Sequence, residues 1–286
     1  MAVRAARLFT AWRQLIQAHG DAQAAVRAST RAMLEAAWRH LDDPYDSAGQ
    51  GEFATAAAAA VARGRSRSTD LMGATLKRAL DEADVKPPRV RLVTADKPRG
   101  LLLVEEMYRP GATWRYELSR GVSDADARER ALVRAATIAE MDLALASRDA
   151  FEQYAAAAPE ILGHRRVLHP ELSTGGSCGL CIAAATRVYK KADLMPLHDR
   201  CHCVPWPILS TQSDEDLVQR INGADLDELY LRIGETSREA LKKVRFTVED
   251  HGELGPTLRE AGHDFRDHAD AVRDADDGTP IGAVAA

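Results

Sequence analysis

Apolar residues recur at three- and four-residue spacing from the start of the chain: Leu8, Trp12, Leu15 and Ile16, then Val26, Met33, Leu34, Trp38 and Leu41. That period marks one face of a helix and predicts helix over residues 3–41. A break is expected at Gly20-Asp21, with Asp21 placed to cap the second segment. The spacing favours core packing for this stripe over a docking surface for a larger assembly. Residues 42–51 read as a connector. The Ala-rich stretch from Phe53 to Ala62 begins another helix, residues 63–68 (Arg-Gly-Arg-Ser-Arg-Ser) interrupt it, and Leu71 to Ala83 resumes it. Pro87-Pro88 then ends the helix. Val90, Leu92 and Thr94, Leu101–Val104 and Trp114–Leu118 read as short strands, divided by residues 97–100 and by Pro110-Gly111.

Ser123, with Asp126 three residues later, opens the longest uninterrupted helical pattern, which runs to about Tyr154 and stops before Pro159. Its many carboxylates and arginines sit at helical spacing and read as a solvated face. Val204-Pro205-Trp206-Pro207 must be extended, because two prolines forbid helix. Beyond Leu209 the material turns acidic. Ser213 and Ala224 each precede a short acidic helix, Arg245-Phe246-Thr247-Val248-Glu249 reads as a short strand or extended arm, and the end of the chain has few large apolar residues.

The expected fold is mainly α with a small β element (α+β), built of long helices and a compact Cys/His-stapled module. The expected divisions are a helical region at 1–86, short strands plus the long helix at 87–158, and the Cys/His module at 159–210. Short acidic helices and an arm follow at 211–258, then a flexible acidic tail at 259–286.

Composition changes this picture little: 45% hydrophobic, 28% charged and only 5% aromatic residues describe an ordinary globular chain whose abundant alanine suits close helix packing. No apolar run reaches bilayer length, and the first residues lack a secretion signal, so a protein made and kept in a cytoplasm is expected. The net charge of −5 is unevenly spread, at +5 over residues 1–100, −1 over 101–200 and −9 over 201–286. A dedicated nucleic-acid binder would concentrate basic charge on one face. The one local basic cluster, Arg63, Arg65 and Arg67, reads as a solvated loop, with phosphate contact the minority reading.

The chemistry lies in one strip, which holds all four cysteines of the chain. Cys178 and Cys181 form a C-x-x-C knuckle, and His198, Cys201, His202 and Cys203 a denser second cluster. A tetrahedral zinc typically takes two ligands from a short-spaced pair and two from a second segment. Disulfides and plain packing of reduced thiols are the rivals, and in a chain kept in a reducing compartment the spacing favours metal. Cys178, Cys181 and Cys201 are the first ligands, and His198 and Cys203 contest the fourth place. Both sulfurs of an extended C-x-C point to the same face, so His202 would point away.

An enzyme is the alternative: a zinc-dependent hydrolase or deaminase-like protein acting on nucleic acid or nucleotides. His169-Pro170-Glu171 supplies the H-x-E of a deaminase signature and Cys178/Cys181 a C-x-x-C. The six residues between Glu171 and Cys178 leave no room for the strand and helix that normally join these parts, and no proline precedes Cys178. Four clustered cysteines also argue for a closed structural site over one activated thiolate.

The run from Arg165 to Tyr189, then Leu194 to Cys203, resembles the minor head proteins of actinobacteriophages, within the wider group similar to protein F of phage Mu. Their shared mark is C-x-x-C followed by H-x-x-C-x-C, and Cys178, Cys181, His198, Cys201 and Cys203 match all five positions. Leu101 to Gly121 and Glu249 to Pro256 are similar to the same subgroup. The resemblance covers most of residues 88–258. It implies a non-enzymatic, low-copy virion component of head morphogenesis, assembled in the host cytoplasm and placed in the capsid interior or at the portal vertex. The implied partners are the portal protein or the major capsid protein, with contact to packaged DNA in some relatives; the zinc expected from the spacing would then be structural.

Overall fold

The computed structural model describes residues 2–96, 100–172, 179–185, 187–190, 202–210, 221–222, 246–250 and 256–260. Among these, three long helices make the body: α1 (Ala2–Trp38), α2 (Ser47–Glu82) and α5 (Asp124–Ala157), with the short helices α3 (Leu103–Glu106) and α4 (Arg109–Ser119) before α5. α1 and α2 form an antiparallel hairpin whose rungs can be followed by contact. Trp12 Nε1 donates to the Ala79 carbonyl at 3.1 Å, His19 meets Thr75 at 2.8 Å, and Ser68 donates to Gln23 at 3.1 Å. α2 and α5 each begin on a side-chain cap. Asp46 accepts from the Ala48 amide at 3.0 Å, and Ser123 accepts from the Asp126 amide at 3.2 Å, which satisfies amides that the first turn leaves without partners.

The small β element is a three-stranded antiparallel sheet of order β2-β1-β3, with β1 (Ile161–Val167) central, β2 (Val188–Lys190) and β3 (Val204–Leu209). The protein is therefore mainly helical with a small sheet, an α+β fold. Pro205 and Pro207 fall on the edge strand β3, where a missing N–H costs no ladder bond. One buried cluster joins Trp12 of α1, Leu76 and Leu80 of α2, Phe151 of α5, Ile161 and Val167 of β1 and Trp206 of β3. Trp12 and Trp206 meet edge to face at 5.6 Å, pinning the sheet to the helical body. A second cluster at the other end holds Leu34, Trp38, Phe53 and Trp114 against alanines 127, 131 and 135 of α5. A separate two-stranded antiparallel pair, β4 (Phe246–Asp250) and β5 (Pro256–Glu260), includes the run expected to be a strand or arm.

Several local expectations are corrected. α1 runs unbroken through Gly20-Asp21. Gly20 is there for space, since a Cβ would lie 2.6 Å from Cε1 of His169. α2 likewise continues through 63–68, where Gly64 lets Thr30 and Leu143 approach the backbone. The basic cluster is thus not a loop: Arg65 is buried and donates to the Ala95 carbonyl, while Arg63 and Arg67 remain exposed.

The strands expected over 90–118 are absent among the described residues of that span. Residues 101–118 are largely helical, with Pro110 in the first turn of α4, where its missing N–H is harmless. Val90–Thr94 is extended but pairs with side chains: Gln153 accepts from the Val93 amide at 2.8 Å and donates to its carbonyl at 2.7 Å. The acidic helices expected after Ser213 and Ala224, and the tail from 261 onward, lie outside the described residues. No helix among the described residues is long and apolar enough to cross a membrane.

Candidate functional site

The sheet brings the two halves of the cysteine motif together. Cys181 is carried by α6 (Gly179–Ala185), and Cys203 immediately precedes β3. Both are buried free cysteines, and their sulfurs stand 3.9 Å apart. Adjacent thiolates on a tetrahedral zinc, each about 2.3 Å from the metal, are separated by roughly 3.8 Å, whereas a disulfide bond is about 2.05 Å long. The pair is therefore too far apart for a disulfide, and its distance fits either two metal ligands or two reduced thiols in contact. Met141, Ala144, Leu168, Ile182 and Ala185 wall it in.

Of the remaining expected ligands, Cys178, His198 and Cys201 lie outside the described residues. Among the described residues no group of three or more His, Cys, Asp or Glu side chains could hold a metal. His202 takes a separate partner, since its Nδ1 lies 2.5 Å from a guanidinium nitrogen of Arg27 on α1.

Two arginines complete the sulfur cluster. Arg166 comes from the middle of β1 and has no exposed surface; one of its guanidinium nitrogens lies 3.1 Å from Cys203 Sγ and 3.7 Å from Cys181 Sγ. Arg148 comes from α5 and donates to the Cys203 carbonyl at 3.3 Å, with Cys203 Sγ 3.8 Å away. Guanidinium N–H groups aimed at sulfur suit the anionic, metal-ligating form of the thiol. Asn222 clamps the end of β1 by donating to the Arg166 carbonyl at 2.7 Å and accepting from the Leu168 amide at 3.3 Å.

A second polar cluster lies where β1 leaves the sheet. His169 sits against Gly20 with its Nδ1 2.8 Å from Glu171 Oε1, on the 3-10 turn Pro170–Leu172. Burial pushes the Glu171 carboxyl up, but the His169 hydrogen bond and further polar contacts outweigh it and leave the group below its usual range. Burial first, then His169 and Arg27, lowers His19 to about 3. Burial and Arg27 lower His202 to about 4. Both rings are therefore neutral at pH 7. A narrow cleft lined by Gln23, Arg27, Ser147, Arg148 and His202 reaches Cys203.

Cys181 and Cys203 are two of the five expected ligands and stand together, while Arg148 and Arg166 are not among the expected site residues. Arg148 had a weak signal, since it stands in helical phase with the apolar Met141, Ala144 and Phe151. Arg166 had none, because both faces of β1 are covered.

Compared with known proteins, the chain matches no family model, no curated protein and no solved structure.

Proposed function

We propose that this chain is a minor capsid protein of a bacteriophage head, a non-enzymatic component whose Cys/His module is closed by a structural zinc. The carrying observation is the five-position pattern of Cys178, Cys181, His198, Cys201 and Cys203, one half of which meets the other at the 3.9 Å contact of Cys181 with Cys203. A zinc there would tie α6 to the start of β3 and fix a segment with little apolar surface of its own, since structural zinc contributes folding energy directly. An enzyme reading needs an open coordination position beside an available carboxylate. Four clustered cysteines suit a closed structural site better than a single activated thiolate, which favours a scaffold.

The proposed partners are the portal or major capsid protein, through multiple copies in the virion. Contact with packaged DNA would fall to Arg63 and Arg67, which are exposed. The test is to locate a tagged copy in intact particles by electron microscopy. Density at one vertex or in the lumen is expected, and a chain absent from purified particles would refute the proposal.

A further inference from the structure

Burying a guanidinium without anionic or carbonyl partners is costly, so where a fully buried arginine sends its donors is informative. Arg166 sends one nitrogen toward both sulfurs, bridging the C-x-x-C half of the motif to the C-x-C half, at 3.7 Å from Cys181 and 3.1 Å from Cys203. It stands on the middle strand, paired with Val188–Lys190's strand on one side and β3 on the other, and Asn222 fixes its backbone. Arg148 reaches the same sulfur of Cys203 from the helical body at 3.8 Å. Two cations on two rigid elements thus converge on the Cys203 sulfur, and one of them also reaches Cys181.

We infer that Arg166, assisted by Arg148, is a positioning residue of the sulfur centre: its N–H groups hold Cys181 and Cys203 in the ligating arrangement and offset their negative charge. The inference rests on the metal-centre reading above. It also assigns Cys203, whose sulfur faces Cys181, to the ligand set. Partners in the layer outside the ligands orient them, and removing such a partner typically weakens metal affinity 10–100-fold. A merely packed arginine would lower apparent affinity only as far as it destabilises the module, and would do so equally in Arg166→Lys and Arg166→Met if charge and donors played no part.

The experiment is zinc affinity of the full chain, measured by competition with a chromophoric chelator, for wild type, Arg166→Met, Arg166→Lys and Arg148→Met. Far-UV circular dichroism of each variant reports folding of the helical body. Arg166→Met is expected to bind zinc about 10–100-fold more weakly with the helical signal retained. Arg166→Lys, which keeps the charge and loses the planar fork, should fall between. Arg148→Met should weaken binding less than Arg166→Met and serves if that variant does not fold. Equal affinity of the folded variants and wild type would overturn the inference alone. Wild type that takes up no zinc would overturn the metal-centre reading beneath it.

Discussion

Gly20→Ala separates two explanations of a glycine in a helix. On propensity alone, alanine in a helix interior is favoured by about 1 kcal/mol, so the variant should be more stable. The structure predicts the opposite. A Cβ at this position would lie 2.6 Å from His169 Cε1 and 2.7 Å from Nδ1, well inside ordinary contact. His169 is 3% exposed and its Nδ1 is bonded to Glu171 at 2.8 Å, so the ring cannot retreat without giving up that bond. Overpacking of this kind costs about 1–3 kcal/mol and the lost hydrogen bond about 1 kcal/mol. Set against the propensity gain, the net is a loss of about 2 kcal/mol.

Gly51→Ala in α2 is the matched control. Its Cβ would lie 3.2 Å from the hydroxyl of Tyr108, an exposed side chain that can swing aside, so a gain of up to about 1 kcal/mol is expected. Urea unfolding followed by far-UV circular dichroism measures both. If Gly20→Ala gains stability as the control does, the docking of His169 onto α1 is wrong.

Two further outcomes follow from the same contacts. Because the folded pKa of His19 is lowered from 6.5 to about 3, chiefly by burial, its neutral form stabilises the fold above pH 6.5. As pH falls through that window the unfolded chain takes up the proton first, so stability declines by up to about 1.4 kcal/mol per unit. His19→Gln should flatten that slope in urea melts between pH 6.5 and 4.5, and an unchanged slope would count against the buried ring. Trp12→Phe removes the bond to the Ala79 carbonyl and part of the edge contact with Trp206. It should cost about 1–3 kcal/mol, read as a lowered urea midpoint.

The helical body was legible because long periodic segments report their own type. The three stretches that periodicity marked hold α1 (Ala2–Trp38), α2 (Ser47–Glu82) and α5 (Asp124–Ala157), with α1 stopping before Leu41. What misled at Gly20 and Gly64 was that a glycine can mark a break or a close approach, and only the packed partner distinguishes them. The stretch from Val90 to Thr94 carries a strand-like pattern, yet Gln153 supplies its hydrogen bonds, a long-range fact no local window contains. At the site, cysteine spacing placed Cys181 and Cys203 among five candidates, and only the fold shows that these two meet. The buried arginines were hidden because a charged residue is assigned to solvent by default, and Arg166 is committed to the interior by sulfurs 15 and 37 positions further along the chain.

The claim on which the proposed function depends is that the two cysteine strips close around one metal. Elemental analysis of the purified full chain tests it most directly. About one zinc per chain is predicted, lost in a Cys181→Ser/Cys203→Ser double variant whose helical signal remains. A wild-type chain free of zinc, or a double variant that keeps it, would contradict the account.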